Sequence, residues 1–466
     1  MAPPRGGDAT DEVFVETRGQ PSTPSAPTDN APPVTAIPSG MRATRRELLA
    51  GLAALTAMPS RAAVDDSRHL VVVFARGGWD PTYVFDPKLG VPGVDGPDAD
   101  STPANPDDRE DLATYGDITL AVNPVRRPRV SNFFDKWGRQ ALIVNGISTG
   151  SVAHDPCRLR LLTGTTDNAA ADLATIVGAE LGSDRPLGSV DLTGLSYTGT
   201  LSATAGSLGE QNQLKVLVDP SISFRAPPGT SLTYPLYVPE PDDDDALRAH
   251  LEARAASERA RWSDQGANDK VFDDYMASLG RAERFRAEGA ELFEGVTLGT
   301  TASLREQADV AVALLQQGTC HAVTLQAIGD WDTHADNALQ HPMYDLLFDG
   351  LDHLVTSLIQ ARLWERTVVA VLSEMGRTPR RNGAFGKDHW AHTSAMFIGA
   401  GIEGGRTAGG TTDALESLPQ DPDSGVLDPS GVVLRYDHLA AGVLELCGLD
   451  AERWRPGISP WRGFRA

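Results

Sequence analysis

Thr367–Asn382 reads TVVAVLSEMGRTPRRN. An apolar, β-branched run stops at Ser373-Glu374, and a glycine- and arginine-rich loop follows. β-branched residues suit a pleated, buried surface, so the run is expected to be an interior strand whose end carries a carboxylate. Two other runs stop in the same way. His69–Ala75 leads into Gly77-Gly78-Trp79-Asp80, and His321–Ile328 leads into Asp330-Trp331-Asp332-Thr333-His334. Asp388-His389 stands just before a fourth strand-like run, Ser394–Gly399. In open parallel sheets, loops at the carboxyl ends of strands converge and carry the chemistry. The pattern predicts a single metal site assembled from distant segments.

Between these runs lie amphipathic stretches with helical spacing: Asn168–Leu181, Ser303–Gln317, Tyr344–Leu363 and Tyr436–Leu446. Strands alternating with helices predict a doubly wound α/β layer sandwich with a mostly parallel sheet. Ala141–Asn145 reads as a further short buried strand, and Val91–Asp111, dense in Pro, Gly and Asp, as an irregular loop. The acidic run Asp242–Asp245 is expected to cap a charged helix reaching about Trp262. Lys270–Phe293 reads as another helix, so that a helical insertion occupies about 242–318 of a domain spanning 68–466. Asp437 is expected to be the N-cap of the closing helix.

The chain has 466 residues, 41% hydrophobic and 22% charged, with a net charge of −22. That composition is that of a globular domain with a full core. The negative charge argues against nucleic acid and anionic membrane as partners, while leaving room for a local basic pocket. Three widely spaced cysteines, Cys157, Cys320 and Cys447, make neither a disulfide framework nor a cysteine zinc module.

Thr44-Arg45-Arg46-Glu47-Leu48-Leu49 opens an apolar stretch ending near Met58, followed by Pro59-Ser60-Arg61-Ala62-Ala63. This resembles a twin-arginine export signal over 41–63. The expected address is periplasmic or extracellular, the twin-arginine translocation machinery is the expected partner, and no stable membrane insertion is expected after cleavage. Residues 1–40 have the composition of a disordered extension, and translation is open between Met1 and Met41.

Asp332 and His334, two apart in an extended segment, project to one side. Asp330 could replace or supplement Asp332. Asp80 follows a glycine pair that permits close approach to an ion. Glu374 and His389 complete the expected ligand set, with Asp388 a ligand or the partner that orients an imidazole. Mixed imidazole and carboxylate donors suit zinc or manganese, and an oxygen-dominated set would suit calcium; one or two divalent ions are expected. Each feature also has a plain structural explanation: a turn at Asp80-Pro81, solvated carboxylates at Asp330 and Asp332, a helix cap at Asp388-His389. Trp331 reads as packing.

Taken in order, Gly-Gly-Trp-Asp, His154-Asp155-Pro156-Cys157-Arg158 with Thr163-Gly164, Asp-Trp-Asp-Thr-His, Leu-Ser-Glu-Met-Gly-Arg-Thr-Pro and Lys-Asp-His-Trp resemble an uncharacterised bacterial family. It is the domain of unknown function numbered fifteen hundred and one, within the alkaline phosphatase and sulfatase superfamily. The resemblance implies a three-layer α/β/α sandwich, alkaline phosphatase-like, with metals at the carboxyl edge. It aligns Asp80 with the first-strand Asp, Asp330 and His334 with an Asp and His four apart, and His389, or else His392, with a final His. Ser373-Glu374 stands where the superfamily has Asp-His. His154 stands at the nucleophile position, where sulfatases carry the cysteine that becomes formylglycine, so an ordinary sulfatase is disfavoured.

Three roles remain for His154: metal ligand, nucleophile, or remnant. Arg158 is expected to face an anionic group, and Arg377 either does likewise or forms a structural ion pair. The implied activity is an exported metal-dependent hydrolase of small anionic esters, phosphate, sulfate or related, using metal-activated water. The alternative is a non-catalytic, metal-stabilised binding or assembly protein on a degenerate hydrolase scaffold, and a weaker third reading is a transferase.

Overall fold

The computed structural model describes residues 68–100, 105–207, 241–263 and 302–465, with isolated positions between 264 and 280. The expected extension over 1–40, the export signal over 41–63 and nearly all of the expected helix Lys270–Phe293 lie outside the described residues.

The strands, in chain order, are β1 (His69–Ala75), β2 (Asp111–Tyr115), β3 (Ile118–Val122), β4 (Ala141–Ser148), β5 (Ser189–Asp191), β6 (Ala205–Ser207), β7 (Ala322–Ala327), β8 (Thr367–Ser373), β9 (Gly376–Arg377), β10 (His389–Trp390), β11 (His392–Gly399) and β12 (Arg406–Gly409). Eight of them form one sheet in the order β12-β4-β11-β8-β1-β7-β5-β6. Within it β11 alone is antiparallel to its neighbours, β4 and β8. The helices are α1 (Pro128–Trp137), α2 (His154–Thr163), α3 (Leu173–Leu181), α4 (Pro241–Ser263), α5 (Leu304–Gln316), α6 (Gln340–Gln360), α7 (Tyr436–Leu446) and α8 (Ala451–Trp454).

β1 sits between β7 and β8 and is buried at every position. Successive side chains of a strand point to opposite faces, and here both faces are covered. Val71, Val73 and Ala75 join one apolar core with Phe133 of α1, Leu314 of α5 and Phe348 of α6. Leu70, Val72 and Phe74 join the other with Leu161 of α2, Ile176 of α3 and Leu439 of α7. Each such side chain contributes about 1.5–3 kcal/mol on burial. The result is a three-layer α/β/α sandwich with a mostly parallel sheet, as expected from the alternation of runs.

Several boundaries differ from the sequence reading, for local reasons. α3 begins at Leu173 rather than Asn168, because the Asp172 carboxylate accepts the Thr175 N–H at 2.7 Å and starts the helix there. α5 opens with a capping box in which Ser303 and Glu306 satisfy one another's backbone N–H groups. α5 packs on α6 and β7, as part of a helical layer of the sandwich. Asp437 is not the cap of α7: the N-cap is Arg435, and Asp437 sits in the first turn, 2.6 Å from the Arg435 guanidinium. No helix among the described residues is long and apolar enough to cross a membrane.

Candidate metal centre

β1, β7 and β8 run in parallel side by side, so their carboxyl ends deliver Arg76-Gly77, Asp330–His334 and Glu374 to one edge. β4, parallel to them beyond β11, ends at Ser148 and leads into α2, whose first residue is His154. β11 runs the other way and so begins at that same edge. The short antiparallel ladder β9–β10 before it pairs His389 with Arg377. Four segments far apart in sequence thus meet above the sheet.

Asp332 is the hub. Its Oδ1 lies 2.9 Å from His334 Nδ1 and 2.9 Å from His389 Nε2, and its Oδ2 lies 3.3 Å from His154 Nε2. The donor atoms of His154, Asp332 and His389 all lie within 4.8 Å of one another. Donors around a tetrahedral ion with bonds of about 2.1 Å lie about 3.4 Å apart, so the spacing fits one ion. The His389 ring stands 4.5 Å from that of His154 and 4.6 Å from that of His334.

The outer nitrogens decide the protonation pattern. His389 Nδ1 is 2.7 Å from the Val152 carbonyl oxygen, which only accepts, so that nitrogen is the donor. His154 Nδ1 is 2.6 Å from Glu374 Oε1, which also accepts the Gly77 N–H at 3.0 Å. In a neutral imidazole the remaining nitrogen offers a lone pair. Both Nε2 atoms therefore face one carboxylate, a donor set that could hold a cation. Outer hydrogen bonds of this kind fix the tautomer and orientation of metal-binding histidines.

Electrostatics hold Asp332 ionised. Burial pushes its carboxyl up, but the hydrogen bond and charge of Arg377, with His389 and His334 beside it, bring it to about 2. Glu374 is different: burial raises it above the ordinary carboxylate range, against the pull of His154 and Arg158. Its side chain is fully enclosed, and one of its oxygens is taken by His154 and Gly77. Glu374, expected as a ligand, lies behind His154 with its Oε1 on His154 Nδ1. Gly77 has φ +116°, and a Cβ there would meet Asp332 N at 2.6 Å, so glycine lets the β1 end and the Asp332 loop touch.

The other expected residues fall outside the cluster. Asp80 is one of them. Its carboxylate is fully buried against Lys387 Nζ at 2.7 Å and also accepts from Asn337 Nδ2 at 2.8 Å and Thr82 Oγ1 at 2.7 Å. A lysine already supplies the positive charge there. Asp388 is exposed and accepts from Asn382 Nδ2 at 3.0 Å, away from the imidazoles of the cluster. Asp330 accepts the Asp332 N–H at 3.2 Å and lines the adjoining cavity. Of Asp330 and Asp332, the structure brings Asp332 into the cluster.

Arg158 pairs with Asp155 and stands 3.7 Å from Glu374. Arg377 is fully buried, donating to Asp332 at 2.6 Å, to the Trp331 carbonyl at 3.0 Å and to the Gly78 carbonyl at 2.8 Å. It clamps three loops and is a structural ion pair. Trp331 is enclosed in the core, as expected of packing. All three cysteines are buried and free. Cys157 donates to the Ser151 carbonyl at 3.2 Å and is raised by burial, while burial pushes Cys320 and Cys447 up to about 12.

A cavity of about 740 Å³ opens beside the cluster, lined by Arg76, His154, Arg158, Gln326, Asp330 and Asp332 among others.

A family model described as a protein of unknown function, DUF1501, matches residues 67–453. The chain belongs to the DUF1501 family. No curated protein sequence matches this DUF1501 chain significantly. Among solved structures, it is similar to an alkaline phosphatase superfamily protein from Vibrio parahaemolyticus, with 10% identity over 89% of this chain and 77% of that one and a TM-score of 0.36. It is also similar to the PsFucS1 sulfatase from Pseudoalteromonas sp. (12% identity, 90% and 79% covered, TM-score 0.34) and to the lipoteichoic acid synthase LtaP from Listeria monocytogenes (8%, 89% and 80%, TM-score 0.36).

Three residues that shape this edge of the DUF1501 chain escaped the sequence reading. Lys387 and Asn337 hold Asp80, and Gly386 lets the hairpin pack on the His334 backbone, where a Cβ would meet the carbonyl carbon at 2.0 Å. Only Lys387 carried a signal, as a charged residue beside Asp388-His389, and nothing in sequence linked it to a partner some 300 positions away.

Proposed function

We propose that this chain is an exported metal-dependent hydrolase of small anionic esters, phosphate or sulfate, with a divalent ion held by His154, Asp332, His334 and His389. One observation carries the reading: the His154 and His389 Nδ1 hydrogens are committed outward, and both Nε2 atoms turn onto the Asp332 carboxylate. Imidazole-rich donor sets suit zinc or manganese, whereas calcium takes oxygen ligands.

When bound, such an ion lowers the pKa of a water and stabilises charge developing on a transferred group. The chain's own residues do the rest. Glu374 keeps the His154 Nδ1 proton and thereby the direction of Nε2. Arg377 and Gly77 fix the Asp332 loop against β1. His154, with one nitrogen on Glu374 and the other toward Asp332, fits a ligand better than a nucleophile. The cavity beside it admits a small ester. Export is supported by the twin-arginine pattern and the alanine-rich stretch after it.

The test is hydrolysis of chromogenic phosphate mono- and diesters and sulfate esters by chain loaded with zinc or manganese. Turnover that chelation abolishes and the ion restores is expected. The non-catalytic reading draws on Asp80, whose carboxylate pairs with Lys387 rather than lying in the cluster. It predicts a bound ion and no turnover on any ester.

A further inference from the structure

Four cationic side chains stand at the carboxyl edge around the cluster, and their partners differ sharply. Arg377 is fully buried and spends its guanidinium on Asp332 and on backbone carbonyls. Lys387 is fully buried against Asp80. Arg158, the residue expected to face an anion, is turned onto Asp155 and lies within 3.7 Å of Glu374, with its side chain only 13% exposed. Arg76 is exposed, lines the same cavity as His154 and Asp332, and makes no ion pair with any described residue. In a chain with 63 acidic residues against 41 basic ones, an arginine left without a carboxylate in an active cavity stands out.

We propose that Arg76, not Arg158, receives the anionic group of the substrate. The inference rests on the hydrolase reading of the cavity and names the residue that recognises the ester's charged oxygens. Its position follows from the fold. Arg76 is the first residue beyond β1, the strand between β7 and β8, and the two glycines after it carry φ +116° and +97°. Those glycines turn the chain down onto Glu374 and Asp332, leaving Arg76 at the rim with its fork unspent. A guanidinium binds tetrahedral oxyanions through paired N–H donors, which an ammonium cannot reproduce. The non-bridging oxygens of a phosphate or sulfate ester supply that geometry.

The test uses the full chain loaded with zinc or manganese, with inorganic phosphate and inorganic sulfate as probes in calorimetric titrations. R76Q is expected to weaken anion binding roughly 10- to 100-fold, with ion content and thermal midpoint unchanged. R76K should fall between R76Q and the wild type. With an ester substrate, KM should rise more than kcat falls. R158Q is expected instead to disturb Glu374 and His154 and so to lower ion content. Wild-type anion affinity in R76Q overturns the proposal, as does a wild type that binds neither anion. A wild type that takes up no ion defeats the metal-centre reading, and the R76Q comparison with anion alone still decides the role of Arg76.

Discussion

Asp80 and Lys387 meet at 2.7 Å with both side chains fully buried. They lie about as far apart in sequence as β1 and β10, and the pair ties the first strand's loop to the β9–β10 hairpin. Removing one partner of a buried ion pair leaves an uncompensated charge, at a cost of about 3–5 kcal/mol. K387M is therefore expected to lose that much stability in urea unfolding. The double variant D80N/K387M, which removes both charges, should recover most of it. An undiminished K387M would mean that Asp80 is not buried as an anion.

Glu374 holds His154 from behind, at 2.6 Å. Loss of such an outer partner typically weakens a metal site 10- to 100-fold. E374A is expected to show that loss in competition with a chelator, whereas E374Q, whose amide oxygen can still accept from both His154 and Gly77, should lose less. Equal metal affinity in E374A and wild type would remove Glu374 from the account.

Gly386 lies against the His334 backbone, and a Cβ there would overlap its carbonyl carbon and oxygen at 2.0 and 2.1 Å. Neither atom can give way as a side chain could. G386A should cost about 1–3 kcal/mol through the forced backbone shift and should weaken metal binding by moving His334. A thermal midpoint within error of wild type would show that the hairpin has room.

At the other end of β1, His69 and His321 are buried with ring centroids 4.4 Å apart. Burial holds His69 down to about 3 and His321 to about 4, helped at His69 by the neighbouring His321 and at both by Arg185. Their folded values lie below the unfolded value of 6.5. The unfolded chain therefore takes up more protons as pH falls, and stability is lost from about pH 6.5 down to about 3. For His321 alone this amounts to roughly 3 kcal/mol. The stability difference between pH 7 and pH 4.5 should shrink in H321Q. The same pH slope in both proteins would contradict the neutral buried pair.

Much of this architecture was legible in the sequence because it depends on local chemistry. The runs His69–Ala75 and Thr367–Ser373 became β1 and β8 at those limits, since a β-branched run buried on both faces has one stable outcome. Asp332, His334 and His389 do meet at one edge, as the strand ends implied. The roles of Asp80 and Glu374 were not legible. Whether a buried carboxylate faces a metal, a lysine or an imidazole depends on partners hundreds of residues away, and no spacing rule connects Asp80 to Lys387 or Glu374 to His154. Arg158 illustrates the same limit: it read as a cation facing an anionic group, and only the folded chain reveals Asp155 and Glu374 beside it.

The central claim is that His154, Asp332, His334 and His389 bind a divalent cation, and elemental analysis of exported chain beside H389A and D332N tests it most directly. The account predicts zinc or manganese in stoichiometric amount in the wild type and at least a tenfold loss in both variants, with secondary structure retained. A metal-free wild type, or variants that keep their metal, would contradict it.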